Sequence, residues 1–155
     1  MKTNSQIITD FYSAFQNRDA ETMVRLYSDH ITFEDPAFGE LKGEEAKDMW
    51  RMLCANAKDL KVTFEILEEQ GNMVKAHWEA IYTFSRTGRR VHNKIDTTIL
   101  LENGLILDHR DSFSLWQWSS QALGVAGWLL GWSGSFRKKF NNETRKLLAA
   151  YRSNN

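Results

Sequence analysis

The chain has 155 residues, with 20 Lys and Arg against 20 Asp and Glu, 42% hydrophobic and 26% charged residues, and a single cysteine. That balance excludes a disordered chain and a polybasic nucleic-acid binder, and Cys54 alone excludes an internal disulfide or a multi-cysteine zinc site. The length fits one domain with its own core; no apolar run reaches the roughly 18 residues of a spanning helix, and Met-Lys-Thr-Asn-Ser-Gln carries no apolar signal core, so a cytoplasmic location is expected.

The charge is unevenly spread. Residues 1–118 hold 14 Lys/Arg and 19 Asp/Glu, a balance of −5, whereas residues 119–155 hold 6 and 1, a balance of +5. This divides the chain into a body, 1–118, and a basic C-terminal extension, 119–155.

Along the body, Ile7, Ile8, Phe11, Tyr12 and Phe15 form the stripe of an amphipathic helix capped by Asn4 or Ser5. Asp19 can cap a second, shorter helix carrying Met23, Val24, Leu26 and Tyr27. Ile31 and Phe33 then alternate with Thr32 and Glu34 as a short strand that Pro36, the only proline, ends. Ala46, Met49, Trp50, Leu53, Cys54 and Ala57 give a third helix. From Lys61 the period changes to two. Strands are expected from Lys61, from Val74 to Phe84, from Arg90 to Glu102 and from Leu105 to about Trp118, with turns at Gly71-Asn72, Thr87-Gly88 and Asn103-Gly104. Three helices followed by a four-stranded meander predict an α+β fold in which the helices cover one sheet face.

The strand from Arg90 admits two readings. Its even positions, including His92, Lys94, Asp96 and Thr98, either face water or wall a polar pocket, the odd face then packing on a second subunit or on the extension.

Asn17-Arg18-Asp19, Leu26-Tyr27-Ser28-Asp29, Phe33-Glu34-Asp35-Pro36, Gly43, Ile95-Asp96 with Asn103-Gly104, and His109-Arg110-Asp111 occur in an order that resembles the nuclear transport factor two-like superfamily. Within it, the chain resembles the ketosteroid isomerase and SnoaL-like polyketide cyclase branch over residues 5 to about 117. The resemblance implies a curved sheet wrapped by helices into a cone, a homodimer, a small, largely apolar ligand, and cofactor-free acid–base chemistry. It places Asp35 at the general base of the isomerase and Asp96 at its oxyanion-hole acid, a pairing that is a standard illustration of carboxyl groups tuned apart. It also turns the even face of the Arg90 strand inward. The positions of the isomerase's oxyanion tyrosine and of a supporting tyrosine hold Phe11 and Arg51, so only Tyr27 remains of that network. Asp111 and Arg110 are similar to residues of limonene epoxide hydrolase, but its remaining Asp and Arg positions hold Ala80 and Trp78.

Asp35 is thus a general base or a turn-capping carboxylate before proline, and Asp96 a buried acid or an exposed strand charge. Alternation puts His109 and Asp111 on one face with Leu107, Phe113 and Leu115, as an auxiliary acid–base pair or a structural ion pair. Phe11, Phe15, Tyr27, Phe33, Trp50, Trp78, Tyr82, Phe84 and Phe113 line the cone or fill it. No metal site, cofactor loop or nucleic-acid motif is expected.

In the extension, Ala122 to Trp132 reads as an apolar helix, about 16 Å long, with Gly124, Gly127 and Gly131 on one face. Phe136, Phe140, Leu147, Leu148 and Tyr151 mark a second, basic one. The pair packs on the body or a partner subunit, or else forms a lid or a peripheral membrane contact through residues 122–152.

Overall fold

The computed structural model describes residues 1–155. Two short helices open the chain, α1 (Asn4–Gln16) and α2 (Ala20–Arg25). Thr3, rather than Asn4 or Ser5, caps α1: its hydroxyl accepts from the Gln6 N–H at 3.1 Å while the Gln6 side chain accepts from the Thr3 N–H at 2.8 Å. Asp19 caps α2 by accepting from the Thr22 N–H.

Strand β1 (Tyr27–Asp35) stops at the residue before Pro36 and returns as β2 (Gly39–Lys42), a hairpin partner that alternation alone did not reveal in four residues. Helix α3 (Glu44–Asn56) follows, and then the meander β3 (Lys61–Gln70), β4 (Met73–Phe84), β5 (Arg89–Glu102) and β6 (Leu105–Ser112). One sheet results, in the order β2-β1-β6-β5-β4-β3, with β1 and β6 parallel and the other pairs antiparallel. Helices α1 and α3 cover its concave face with Ile8, Phe11, Tyr12, Phe15, Met49 and Trp50, all buried in one core. This is the expected α+β cone, a curved sheet that does not close.

Directly opposed residues of an antiparallel pair share a face, so register decides the ambiguous strand. Trp78 faces Ile95 and Ala76 faces Thr97, all buried, which makes the odd positions of β5 part of the cone's own core. His77 faces Asp96 and Glu79 faces Lys94 on the outer side. The inward placement of Asp96 expected from the resemblance is therefore not what the fold adopts, because an inward Asp96 would turn Ile95, Ile99 and Leu101 out of the core.

The last strand also departs from simple alternation. Leu100 pairs with Asp108 but Leu101 with Ile106, so Leu107 is the extra residue of a bulge. Ile106 therefore points inward in place of Leu107, and beyond the bulge His109 and Asp111 are buried. The strand ends at Ser112 rather than near Trp118, because Ser114 caps a new helix by accepting from the Gln117 N–H at 3.1 Å.

The extension forms α4 (Leu115–Leu123), α5 (Val125–Leu130) and α6 (Gly134–Asn154). Gly124, at φ +69°, breaks the apolar run that the sequence suggested was one helix. Leu115, Trp118 and Ala122 of α4 pack with Val91, Tyr82, Phe84 and Phe113 over the far end of the sheet. From there α6 crosses the β1–β2 turn and buries Leu148 in the main core. No helix is long and apolar enough to cross a membrane.

Candidate functional site

Parallel pairing of β1 with β6 sets Phe33 beside His109 and Glu34 beside Arg110. The next inward position on each strand is a carboxylate, Asp35 and Asp111, so the register carries two acids to one place on the concave face. Asp111 and His109, two residues apart, point the same way, and His109 Nε2 lies 3.0 Å from Asp111 Oδ1. Both side chains are almost wholly removed from water.

The imidazole is held from its other side as well. Tyr27 Oη lies 2.7 Å from His109 Nδ1, and the Trp50 indole N–H donates to the same phenol oxygen at 2.7 Å. Burial raises the Tyr27 phenol well above the ordinary tyrosine range, with the Trp50 hydrogen bond opposing and Asp111 adding to the shift, so it keeps its proton. The donors then run in one direction: Trp50 to Tyr27, Tyr27 to Nδ1, and Nε2–H to Asp111. In that order Nδ1 of His109 accepts and Nε2–H donates. Tyr12 Oη and the Trp78 N–H complete the surroundings, each at 3.5 Å, from His109 Nε2 and Asp111 Oδ1 respectively. Burial likewise keeps the Tyr12 phenol protonated.

Asp35 begins the turn that Pro36 enforces. Its Oδ1 accepts the Phe38 N–H at 2.6 Å, so it is a turn-capping carboxylate in fact. It is also perturbed. Removal from water pushes its carboxyl up to about 7 against the lowering effect of the Phe38 hydrogen bond, and the neighbouring Asp111 charge adds to the rise. A carboxyl poised there can hold or release a proton at neutral pH.

The aromatic residues divide into two groups. Phe11, Phe15, Tyr27, Phe33, Trp50 and Trp78 are packed ring against ring, four of them against His109; Phe11 and Trp50, for example, meet edge to face at 5.4 Å. They fill the deep end of the cone. Tyr82, Phe84 and Phe113 are only partly buried and lie under α4, where the Trp118 N–H donates to Tyr82 Oη at 2.7 Å. Asp96 belongs to neither group. Its side chain is 78% exposed and lies 2.8 Å from His77 Nδ1 on the outer face.

Several contributors were not found from sequence. Tyr12 sits one helix position from Phe11, and the spacing of Trp50 marks an aromatic stripe without signalling a role for its N–H. From the extension, Asn141 donates to the carbonyls of Pro36 and Ala37, and Arg145 to those of Phe38 and Glu40, all at 2.7 Å. The turn bearing Asp35 is thus clamped by residues over 100 positions away, which no local pattern signals. Two surface clefts of about 680 and 330 Å³ lie beside α3, lined by charged residues such as Glu45, Asp48 and Arg152, and Glu21, Asp29 and Lys47. Neither includes Asp35, His109 or Asp111.

Comparison with known proteins agrees with this architecture. The family described as SnoaL-like domain matches residues 8–109. Among solved structures, a Catenulispora acidiphila protein with a ketosteroid isomerase-like fold, in complex with trimethylamine, is 19% identical with a TM-score of 0.69, covering 81% of this chain and 98% of that one. IdmH, a polyketide cyclase candidate from Streptomyces antibioticus, is 22% identical with a TM-score of 0.67 over 80% of this chain and 100% of its own. A polyketide cyclase candidate from Silicibacter is 15% identical with a TM-score of 0.68, over 77% and 94%. No curated protein matches the sequence. At these identities the structural likeness is one of fold.

Proposed function

Because the chain belongs to the SnoaL-like domain family, within the nuclear transport factor two-like superfamily, we propose that it acts on a small, largely apolar carbonyl compound by acid–base chemistry without a cofactor. The observation that carries this reading is the side-by-side placement of Asp35 and Asp111 by the parallel β1–β6 register, with Asp35 poised at about 7. Asp35 takes the proton from carbon next to the carbonyl, the C–H pair becomes the enolate, and the same carboxyl returns the proton elsewhere on the substrate, completing an isomerisation or ring closure. Asp111, fixed by the Nε2–H of His109, keeps a negative charge beside Asp35 and so favours its protonated state after abstraction. With Asp96 outside, the donor to the enolate oxygen comes from the interior hydroxyl of Tyr12. The substrate is admitted by movement of the extension, which uncovers the partly buried Tyr82, Phe84 and Phe113. A homodimer formed through the outer sheet face, where His77 and His92 contact Glu79 and Asp96, belongs to the same reading and is checked by light scattering.

A second reading has specific support. The exposure of Asp96, which leaves the inner face without a second acid at that position, favours a module that binds an apolar ligand without turning it over. Proton NMR in D₂O separates the two. The enzyme reading requires catalysed exchange of acidic C–H positions in a panel of small 1,3-dicarbonyl compounds, lost in Asp35→Asn; binding without exchange leaves only the module.

A further inference from the structure

Helix α5 is built inside out. Its glycine side faces the protein: Gly127 is buried so closely that a Cβ there would stand 1.9 Å from the Ser119 carbonyl oxygen, and one on Gly131 would stand 1.9 Å from Ser119 Oγ. Its large apolar side faces out, with Val125 74%, Trp128 56%, Leu129 52%, Leu130 58% and the following Trp132 74% exposed. A helix stabilised by the aqueous hydrophobic effect would place these residues the other way.

The backbone of this tip is prepared for a medium without water. A helix leaves its last carbonyls unpaired, and in water the solvent satisfies them. Here protein groups occupy those of residues 127–130. The Gly127 carbonyl accepts from the Gly131 N–H at 2.8 Å, that of Trp128 from the Trp116 indole N–H at 2.8 Å, and that of Leu129 from the Trp132 indole N–H at 2.7 Å. The Leu130 carbonyl accepts from both the N–H and the hydroxyl of Ser133, at 3.0 and 2.9 Å. The two indoles thereby spend their only polar groups internally and present hydrocarbon outward.

Cations lie next to the tip. Arg137, Lys138 and Lys139 follow it in sequence on the first turns of α6, and Arg89, at the start of β5 and three residues after Arg86 of the β4–β5 turn, sets its guanidinium against Gly124. None of the five is paired with a carboxylate.

We propose that the α5 tip docks the protein on an anionic lipid bilayer, inserting Val125, Trp128, Leu129, Leu130 and Trp132 at the headgroup boundary while the flanking cations meet lipid phosphates and carboxylates. Charge selects this occupant over a second copy of the chain, since a twofold contact through the tip would set like-charged rings against each other. The inference stands independently of any reaction in the cone.

The test is flotation of the full chain with vesicles of phosphatidylcholine alone and of phosphatidylcholine with phosphatidylserine, at low and high salt. Binding to the anionic vesicles, weakened by salt and accompanied by a blue shift of tryptophan emission, is expected. The variant Val125→Ser/Leu129→Ser/Leu130→Ser, which keeps both indole caps, should bind at least about tenfold more weakly. Lys138→Glu/Lys139→Glu should lose roughly fivefold or more per cation removed. All these side chains are exposed, so unchanged circular dichroism and thermal unfolding are expected for both variants. No binding to either vesicle overturns the proposal, as does equal, salt-insensitive binding to both. So does wild-type self-association that the apolar variant abolishes, without vesicle binding.

Discussion

The phenol oxygen of Tyr27 lies 2.7 Å from Nδ1 of His109, and this contact orders the protons of the buried cluster. Trp50 can only donate and Tyr27 keeps its proton, for which Nδ1 is the one acceptor in contact, so the imidazole accepts on Nδ1 and donates from Nε2 to Asp111. Tyr27→Phe would leave both the Trp50 N–H and His109 Nδ1 without a partner in a dry interior. A loss of about 1–3 kcal/mol is expected in urea unfolding. Nitrogen NMR of the wild type should show Nε2-protonated His109, and the variant should show a mixture of tautomers. A wild-type ring protonated on Nδ1 would contradict the chain of donors.

Asp35 makes stability pH-dependent with a definite sign. Unfolded, its carboxyl titrates near the ordinary 3.8; folded, at about 7. Below the lower value it is protonated in both states and contributes no penalty. Between the two, the unfolded chain ionises while the folded chain retains its proton, so stability falls as pH rises, and above about 7 the full penalty is present. Asp35→Asn can still cap Phe38 but carries no charge. It should match the wild type near pH 4 and exceed it near pH 8 by on the order of 2–4 kcal/mol, measured by urea unfolding at both. In deuterium exchange of a carbonyl substrate the same variant should lose roughly 100-fold or more.

Asp96 gives the converse test. Its hydrogen bond is the chief cause, with Glu79 second, that holds His77 above the ordinary histidine value on the outer face. Asp96→Asn should lower the His77 titration midpoint followed by NMR. The favourable contribution of a raised histidine is present in acid and lost as pH rises through its folded midpoint. At this exposure it is small, so thermal stability should change little. Exchange activity should be unchanged in this variant; loss of activity there would place Asp96 in the chemistry despite its exposure.

The difference between Asp35 and Asp96 also shows what the sequence could carry. Period-two alternation in β4 and β5 and the Asn103-Gly104 turn fixed a meander, and Asp35-Pro36 marked the end of β1. Alternation gives two faces but not their direction. For β5 the apolar count of the odd face, Val91, Ile95, Ile99 and Leu101, was the better guide than a resemblance placing Asp96 inside. The bulge at Leu107 changed which residues share a face, and nothing in Leu105-Ile106-Leu107 announces it. Pairing of β1 with β6 is parallel and long-range, so the meeting of Asp35 with Asp111 lies outside any local pattern. Gly127 and Gly131 were legible as a close-packing face; that Ser119 would receive it was not.

The extension holds the turn of Asp35 through carbonyls rather than through the carboxylate itself. Asn141 serves Pro36 and Ala37, Thr144 adds a bond to Ala37, and Arg145 serves Phe38 and Glu40. Gly39, at φ +72°, leaves room for this approach, since a Cβ there would stand 3.1 Å from the Arg145 guanidinium. Asn141→Ala with Arg145→Ala removes four of the five bonds while sparing the Phe38 N–H bond to Asp35. Hydrogen–deuterium exchange should rise in residues 36–42, with a stability loss of about 1–3 kcal/mol for each site. Water reaching the turn relieves the burial that raises Asp35, so its midpoint should move from about 7 toward 3.8. Lys146→Ala, an exposed neighbour without an ion-pair partner, should do none of this. If the double variant loosens the turn but Asp35 still titrates at about 7, Asp111 and the core set its proton affinity, and the extension acts only as a cover.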